Sequence, residues 1–141
     1  MIIGPDEIKG DVSRSADVAI IGSGAGGGPL ARELSGEGYQ VVVLEEGGYF
    51  TRENFNINPT QAYLEMYRDA GQTITLGMPF ILLPAGKTVG GTTTINSGTA
   101  LRMHRPVLKK WHLTHGLTDI TEEELNLIYG HLEEYLFVKR A

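Results

Sequence analysis

The chain has 141 residues, which is one domain's worth of core and room for one site. Its 12 Lys and Arg stand against 17 Asp and Glu, a net charge of −5, so no basic surface is available for a phosphate backbone and no nucleic-acid partner is expected. The absence of cysteine removes disulfide frameworks, thiolate nucleophiles and Cys-ligated zinc or iron–sulfur centres together. No metal site is expected, and redox chemistry would need a borrowed cofactor.

Residues 1–16 read as an N-terminal extension. The first 15 carry Asp6, Glu7 and Asp11 and no apolar run, and apolar stretches elsewhere reach about five residues, against the roughly 18 of a membrane span. The chain therefore reads as soluble, unexported and cytoplasmic. Residues 17–22, Asp-Val-Ala-Ile-Ile-Gly, form a continuous apolar run that ends in glycine, the pattern of a strand buried on both faces of a parallel sheet. Leu30, Ala31 and Leu34 then predict a short amphipathic helix over residues 25–36, with Gly36 or Gly38 beyond its end and Pro29 near its start, where amides lack intrahelical partners. Residues 40–45, Gln-Val-Val-Val-Leu-Glu, are a second β-branched strand. Strand, glycine turn, helix and strand within about 30 residues make a βαβ unit of an α/β fold.

Past Gly47 and Gly48, the polar stretch with Asn54, Asn56 and Asn58 reads as a surface excursion, followed by a helix over residues 59–70 closed by Gly71. Residues 73–76 and 80–83 suggest two short strands around a turn at Gly77, Met78 and Pro79. Residues 92–100 are small and β-branched, which favours a strand, while their place after a Gly-Gly turn allows a helix; periodicity does not decide between them. Two further helices are clearer: residues 106–115, ended by Gly116, and residues 121–138, opened by a capping box of Thr121 and Glu124 with Leu125, Ile128, Leu132 and Tyr135 on one face. The chain ends at residues 138–141 on that helix with no closing element, which reads as a cut. There are no internal repeats.

Gly22-Ser23-Gly24-Ala25-Gly26-Gly27 is a GxGxxG set between the buried strand and the helix. Nine of the chain's 19 glycines fall between Gly22 and Gly48. In this pattern Gly22 permits the tight turn, Gly24 lets backbone approach a pyrophosphate, and Gly27 allows close packing of helix on strand. The helix N-terminus offers free amide hydrogens and a partial positive charge to phosphates. Glu45 follows Gly22 by 23 residues at the carboxyl end of the second strand, where a carboxylate accepts hydrogen bonds from ribose hydroxyls and disfavours a 2′-phosphate. No Arg or Lys within residues 41–50 offsets that charge. Taken alone such glycines serve equally to turn the chain; strand, helix and acid in register favour a nucleotide. A second cluster, Val89-Gly90-Gly91-Thr92-Thr93-Thr94-Ile95-Asn96-Ser97-Gly98, combines two glycines with hydroxyl and amide donors, and by itself fits a turn and edge strand as well as a ligand loop.

The pair DVAIIGSGAGGGPLARELSGEGYQVVVLEEGG (residues 17–48) and VGGTTTIN (from Val89) closely resembles the glucose-methanol-choline (GMC) family of flavin-dependent oxidoreductases. TALRMHRPVLKKW (residues 99–111) and GLTDIT (residues 116–121) are most similar to the bacterial long-chain alcohol oxidase and dehydrogenase branch. The resemblance covers nearly the whole chain. It implies that residues 17–141 are a fragment of a Rossmann-like FAD-binding domain of parallel sheet and helices, with FAD as cofactor. The cofactor residues it implies are Gly22, Ser23, Gly24, Ala25, Gly26 and Gly27 at the diphosphate, and Glu45 with Glu46 at the adenosine ribose. Gly90, Gly91, Thr92, Thr93, Asn96 and Ser97 would lie against diphosphate and isoalloxazine, with the chain helical from Thr92. The implied reaction moves hydride from an alcohol carbon to flavin N5, with the catalytic histidine in a substrate-domain half that is missing here.

None of His104, His112, His115 and His131 matches that histidine, and His112 with His115 lacks a third metal ligand. Trp111, Leu108, Leu113 and Leu117 read as core, and Glu122, Glu123 and Glu124 as a favourable first helical turn. Three readings follow: the flavin-binding part of an alcohol oxidoreductase, with the alcohol held through the missing half; a nicotinamide-binding module, which leaves residues 90–96 without a role; and a non-catalytic fragment or subunit completed by another chain. A chain this short would leave apolar faces partly uncovered, so a partner chain or self-association is expected.

Overall fold

The computed structural model describes residues 1–55 and 58–139. Asn56 of the polar excursion, and Arg140 and Ala141 of the expected cut, lie outside the described residues. The chain divides into two compact units, Met1–Ser97 and Gly98–Ala141.

In the first unit the predicted βαβ element forms as β1 (Val18–Ile21), α1 (Gly27–Gly36) and β2 (Val41–Leu44), with β1 and β2 parallel in register from Val18 opposite Val41 to Ile21 opposite Leu44. The pairing is tied at its entrance, where the Asp17 N–H donates to the Gln40 carbonyl at 2.9 Å and the Asp17 carboxylate accepts from the Gln40 N–H at 2.8 Å. Beyond the ladder the Gly22 N–H reaches the Leu44 carbonyl at 2.7 Å, which carries the pairing to the first glycine of the turn. Helix α1 packs on one face. Ile20 is buried beneath Gly27, whereas Ile21 on the opposite face is 89% exposed. The expectation of a strand buried on both faces is therefore corrected: α1 covers one face of this two-stranded sheet.

After β2 the chain runs beside residues 86–89. Gly48 bridges Thr88 in parallel, the Val89 N–H donates to the Gly48 carbonyl at 2.9 Å, and Thr88 is fully buried. The predicted helix over residues 59–70 stops early: α2 is Pro59–Met66, capped by the Asn58 side chain on the Gln61 N–H. Tyr67 is extended because residues 66–68 pair with residues 85–87, through Lys87 N–H to Met66 carbonyl and Arg68 N–H to Ala85 carbonyl, both at 2.8 Å. A 3₁₀ turn, Arg68–Gly71, follows. The two strands expected at residues 73–76 and 80–83 reduce to one bridge between Ile74 and Leu82, flanked by bonds from Thr75 N–H to Ile81 carbonyl (2.9 Å) and Leu83 N–H to Thr73 carbonyl (2.8 Å). Residues 92–100 are neither strand nor long helix: a 3₁₀ turn, Gly91–Thr93, gives way to turn and bend.

The second unit is a helix pair. Helix α3 (Arg105–His115) carries Pro106 in its first turn and ends on Gly116 in the left-handed conformation, φ 65°. Helix α4 (Glu122–Tyr135) opens on the predicted capping box, with the Thr121 hydroxyl accepting from the Glu124 N–H at 3.2 Å and the Glu124 carboxylate accepting from the Thr121 N–H at 3.1 Å. The face on which α4 packs is not the predicted one. Leu125, Tyr129 and Glu133 are half-buried while Ile128, Leu132 and Tyr135 are exposed, because Arg102 reaches both Glu133 (2.6 and 2.7 Å) and Asn126 (3.3 Å) and the Met103 N–H donates to the Tyr129 hydroxyl at 3.2 Å. Of the four residues read as core, Leu108 is buried and Trp111 half-buried, but Leu113 and Leu117 are exposed.

A Cβ added at Gly27 would collide with the Gly22 carbonyl oxygen, whereas one at Gly36 meets nothing within 4 Å. Gly27→Ala is expected to cost at least about 1 to 3 kcal/mol, since the obstacle is backbone, and Gly36→Ala to stabilise by up to about 1 kcal/mol. Chemical denaturation followed by circular dichroism measures both.

Candidate functional site

The first glycine run turns from β1 into α1. Gly22 sits at φ +85°, which only glycine adopts without strain. Added Cβ atoms at Gly22, Gly24 and Gly26 would each meet nothing within 4 Å, so the outward side of the turn is open along its length. The end of α1 that faces this opening has a glycine N-cap, no side-chain cap and no acid in its first turn. That contrasts with α4, whose first turn holds a threonine cap and three glutamates. The dipole of the α1 N-terminus is thus left unanswered by any side chain and available to an anion, together with the amides ahead of Gly28; the Gly28 N–H is taken by the Gly24 carbonyl at 3.0 Å and Pro29 has none.

Glu45 directly follows β2 and is half-buried, with its carboxylate against the same turn. Its Oε2 accepts from the Ser23 N–H at 2.8 Å and the Ser23 hydroxyl at 2.7 Å, and its Oε1 from the Gly47 N–H at 2.9 Å. Burial opposes ionisation, but the N–H groups of Ser23 and Gly47, the Ser23 hydroxyl and the charge of Arg68 together hold the carboxyl below the usual glutamate value. Glu46, next along, is exposed and ion-paired with Arg68.

The second glycine cluster closes against the first. The Gly90 N–H donates to the Ser23 hydroxyl oxygen at 2.9 Å, and a Cβ on Gly91 would lie 3.1 Å from the Gly24 Cα. The threonine hydroxyls serve this turn itself. Thr92 accepts from the Gly86 N–H at 3.1 Å, Thr94 donates to the Val89 carbonyl at 2.8 Å, and Thr93 donates to the Gly90 carbonyl. The Asn96 side chain donates to the Thr93 carbonyl, and Ser97 closes the first unit.

The structure therefore brings Gly22 to Gly27, Glu45, Gly90 and Gly91 together, with Glu46 at the margin and Thr92, Thr93 and Asn96 bracing the second turn. Two contributions escape a reading along the sequence. Arg68 supplies the cation that residues 41–50 lack, and its register is set by the pairing of residues 66–68 with 85–87; Ser23 is the link between the clusters, 67 residues from Gly90. No histidine belongs to the unit that holds this arrangement. All four lie in the second unit, where His104, His115 and His131 are exposed and His112 Nε2 donates to the Ile120 carbonyl at 2.7 Å. Among the described residues, no helix is long and apolar enough to cross a membrane and no three His, Asp or Glu side chains are grouped to hold a metal ion.

Fold and site define an α/β chain whose strand-to-helix glycine turn is closed by a second glycine turn. Residues 63–141 match the profile described as GMC oxidoreductase, a match that begins beyond the first glycine run and takes in the second. The chain belongs to the GMC oxidoreductase family, whose members are in general FAD-dependent. It is 48% identical to an uncharacterised GMC-type oxidoreductase of Mycobacterium tuberculosis over 124 residues, 87% of this chain and 20% of that protein. A long-chain-alcohol oxidase of Arabidopsis thaliana is 39% identical over 95 residues, 67% of this chain and 13% of that protein. An oxygen-dependent choline dehydrogenase of Rhizobium rhizogenes is 33% identical over 104 residues, 68% and 19% of the two chains. The chain spans about a fifth or less of the length of each of these three.

Because the Glu45 pKa is lowered by folding, its contribution to stability is complete above the ordinary glutamate range and is lost as pH falls through the lowered value. A carboxyl ¹³C titration is expected to give Glu45 a midpoint below the peptide value of about 4.3. Glu45→Gln is expected to weaken the dependence of unfolding free energy on pH between about 5 and 3.

Proposed function

We propose that this chain is the dinucleotide-binding part of a Rossmann-like, FAD-dependent oxidoreductase acting on the CH–OH group of alcohols. The observation that carries the reading is the open side of Gly22, Gly24 and Gly26 over an uncapped, acid-free helix N-terminus, with an ionised Glu45 at the end of β2. The clearance around an added Cβ at each of these glycines supports a diphosphate there, where its charge would meet the positive end of α1. Glu45 accepts from a ribose hydroxyl, and the second glycine turn stands over Gly24 against the diphosphate. Bound FAD supplies the hydride acceptor. Against NADP, Glu45 and Glu46 present two negative charges, and the nearby Arg68 is engaged by Glu46.

The names of the relatives support an alcohol as substrate, and those of the Arabidopsis proteins a long-chain one. The base that takes the hydroxyl proton is proposed to lie outside these 141 residues, since none of His104, His112, His115 and His131 matches the catalytic histidine that the resemblance implies. We take the exposed Ile21 and the almost wholly exposed Leu76 and Met78 of the first unit as surface covered by further polypeptide, in the same chain or a separate one.

Titration with FAD, followed by flavin fluorescence and visible absorption, tests the reading. Binding of FAD is expected, and tight NADP binding with no FAD affinity would overturn it. In Gly24→Val the branched side chain occupies the opening. This variant is expected to keep its circular dichroism spectrum and to lose FAD affinity by at least about tenfold, 1.4 kcal/mol. The 141-residue chain with FAD, a dye acceptor and primary alcohols is expected to turn over no faster than free FAD, since neither a base nor an enclosed alcohol is at hand.

A further inference from the structure

We propose that Ser23 is the positioning residue of this site: its hydroxyl locks the second glycine turn onto the first and leaves Glu45 one open acceptor position for the ribose. The proposal rests on the FAD reading and deepens it.

The Gly90 N–H can only donate, so at 2.9 Å the Ser23 oxygen accepts from it. The single hydroxyl proton is then directed to Glu45 Oε2 at 2.7 Å. Oε2 also receives the Ser23 N–H at 2.8 Å, which fills both of its lone-pair directions, while Oε1 receives the Gly47 N–H at 2.9 Å and keeps one direction open. Every group that meets the carboxylate is a donor, so the circuit is consistent with the ionised acid; a proton on Glu45 sets a donor against donors. Arg68 is the charged side chain that acts on this carboxyl, and it is itself paired with Glu46.

Steric facts explain why one hydroxyl matters. Gly90 stands at φ +92°, where an added Cβ would collide with the Thr94 hydroxyl, and a Cβ on Gly91 would lie a tight 3.1 Å from the Gly24 Cα. The hydroxyls of Thr92, Thr93 and Thr94 are committed within residues 86–94, and Val89 ties that segment to Gly48. The bond across to the first glycine turn is made by Ser23. Alanine at position 23 leaves the Gly90 N–H without its acceptor and Glu45 with one donor fewer, whereas threonine retains a hydroxyl at the same carbon.

The experiment compares the unaltered chain, Ser23→Ala and Ser23→Thr by amide hydrogen exchange at Gly90 and by FAD affinity as a function of pH. In Ser23→Ala, exchange at Gly90 is expected to speed by about tenfold or more, and the acid loss of FAD affinity to begin at higher pH, with Ser23→Thr restoring both. Unchanged Gly90 exchange and an unmoved acid limb in a folded Ser23→Ala protein that binds FAD would overturn the proposal and leave the FAD reading intact. If the unaltered chain binds no FAD, that reading fails, and the exchange comparison still decides the lock. Should Ser23→Ala not fold, the unaltered chain decides: Gly90 protection lost as Glu45 titrates supports the circuit, and protection maintained through that titration refutes it.

Discussion

Backbone meets backbone at distances that leave no room for a Cβ, and the rest of the structure depends on it. Helix α1 sits on β1 because residue 27 has no side chain to strike the Gly22 carbonyl. Gly47 passes Lys87 in the same way, a Cβ on Gly86 would lie 2.5 Å from the Gly91 carbonyl oxygen, and Gly91 rests on Gly24. Each approach brings polar backbone groups together, and those groups then need partners. Glu45 and Ser23 supply them, which is how a steric allowance becomes a hydrogen-bonded site.

The βαβ element was legible because its causes are local: apolar runs, turn glycines and helix periodicity all lie within residues 17–45. The capping box of α4 was legible for the same reason. What failed to show depends on partners distant in the chain. The helix over residues 59–70 has adequate propensity to its end, but the pairing of residues 66–68 with 85–87 takes its backbone bonds away after Met66. The face of α4 follows Arg102, whose surface bonds to Asn126 and Glu133 bring Leu125 and Tyr129 into partial burial and leave Ile128 and Leu132 exposed. Within the site, glycines and Glu45 could be read from spacing, whereas Arg68 and the Ser23 link to Gly90 exist only once the chain has folded.

The two helix N-termini illustrate how similar physics serves different ends. In α4 the cap and the first-turn glutamates satisfy the dipole from within, so that end is finished as folded. In α1 nothing in the first turn answers it, and the helix carries an unmet preference for negative charge beside an open turn. Helix α3 likewise lacks a side-chain cap and a first-turn acid; at α1 the same lack stands beside an open glycine turn, where a ligand would supply the charge.

The turn from Gly22 to Gly28 contains no charged side chain, and the chain as a whole carries −5. An anion approaching it therefore meets mild repulsion at long range and attraction only within the last few ångströms, because a set of dipoles loses its field with distance far more steeply than a lysine does. Were a nucleotide bound there, such a site would hold rather than steer it, with affinity arising from contacts made after encounter. Ionic strength then acts chiefly on arrival, relieving the repulsion as it rises, and scarcely on departure. In that case a cofactor kept in place would suit the site better than one exchanged freely.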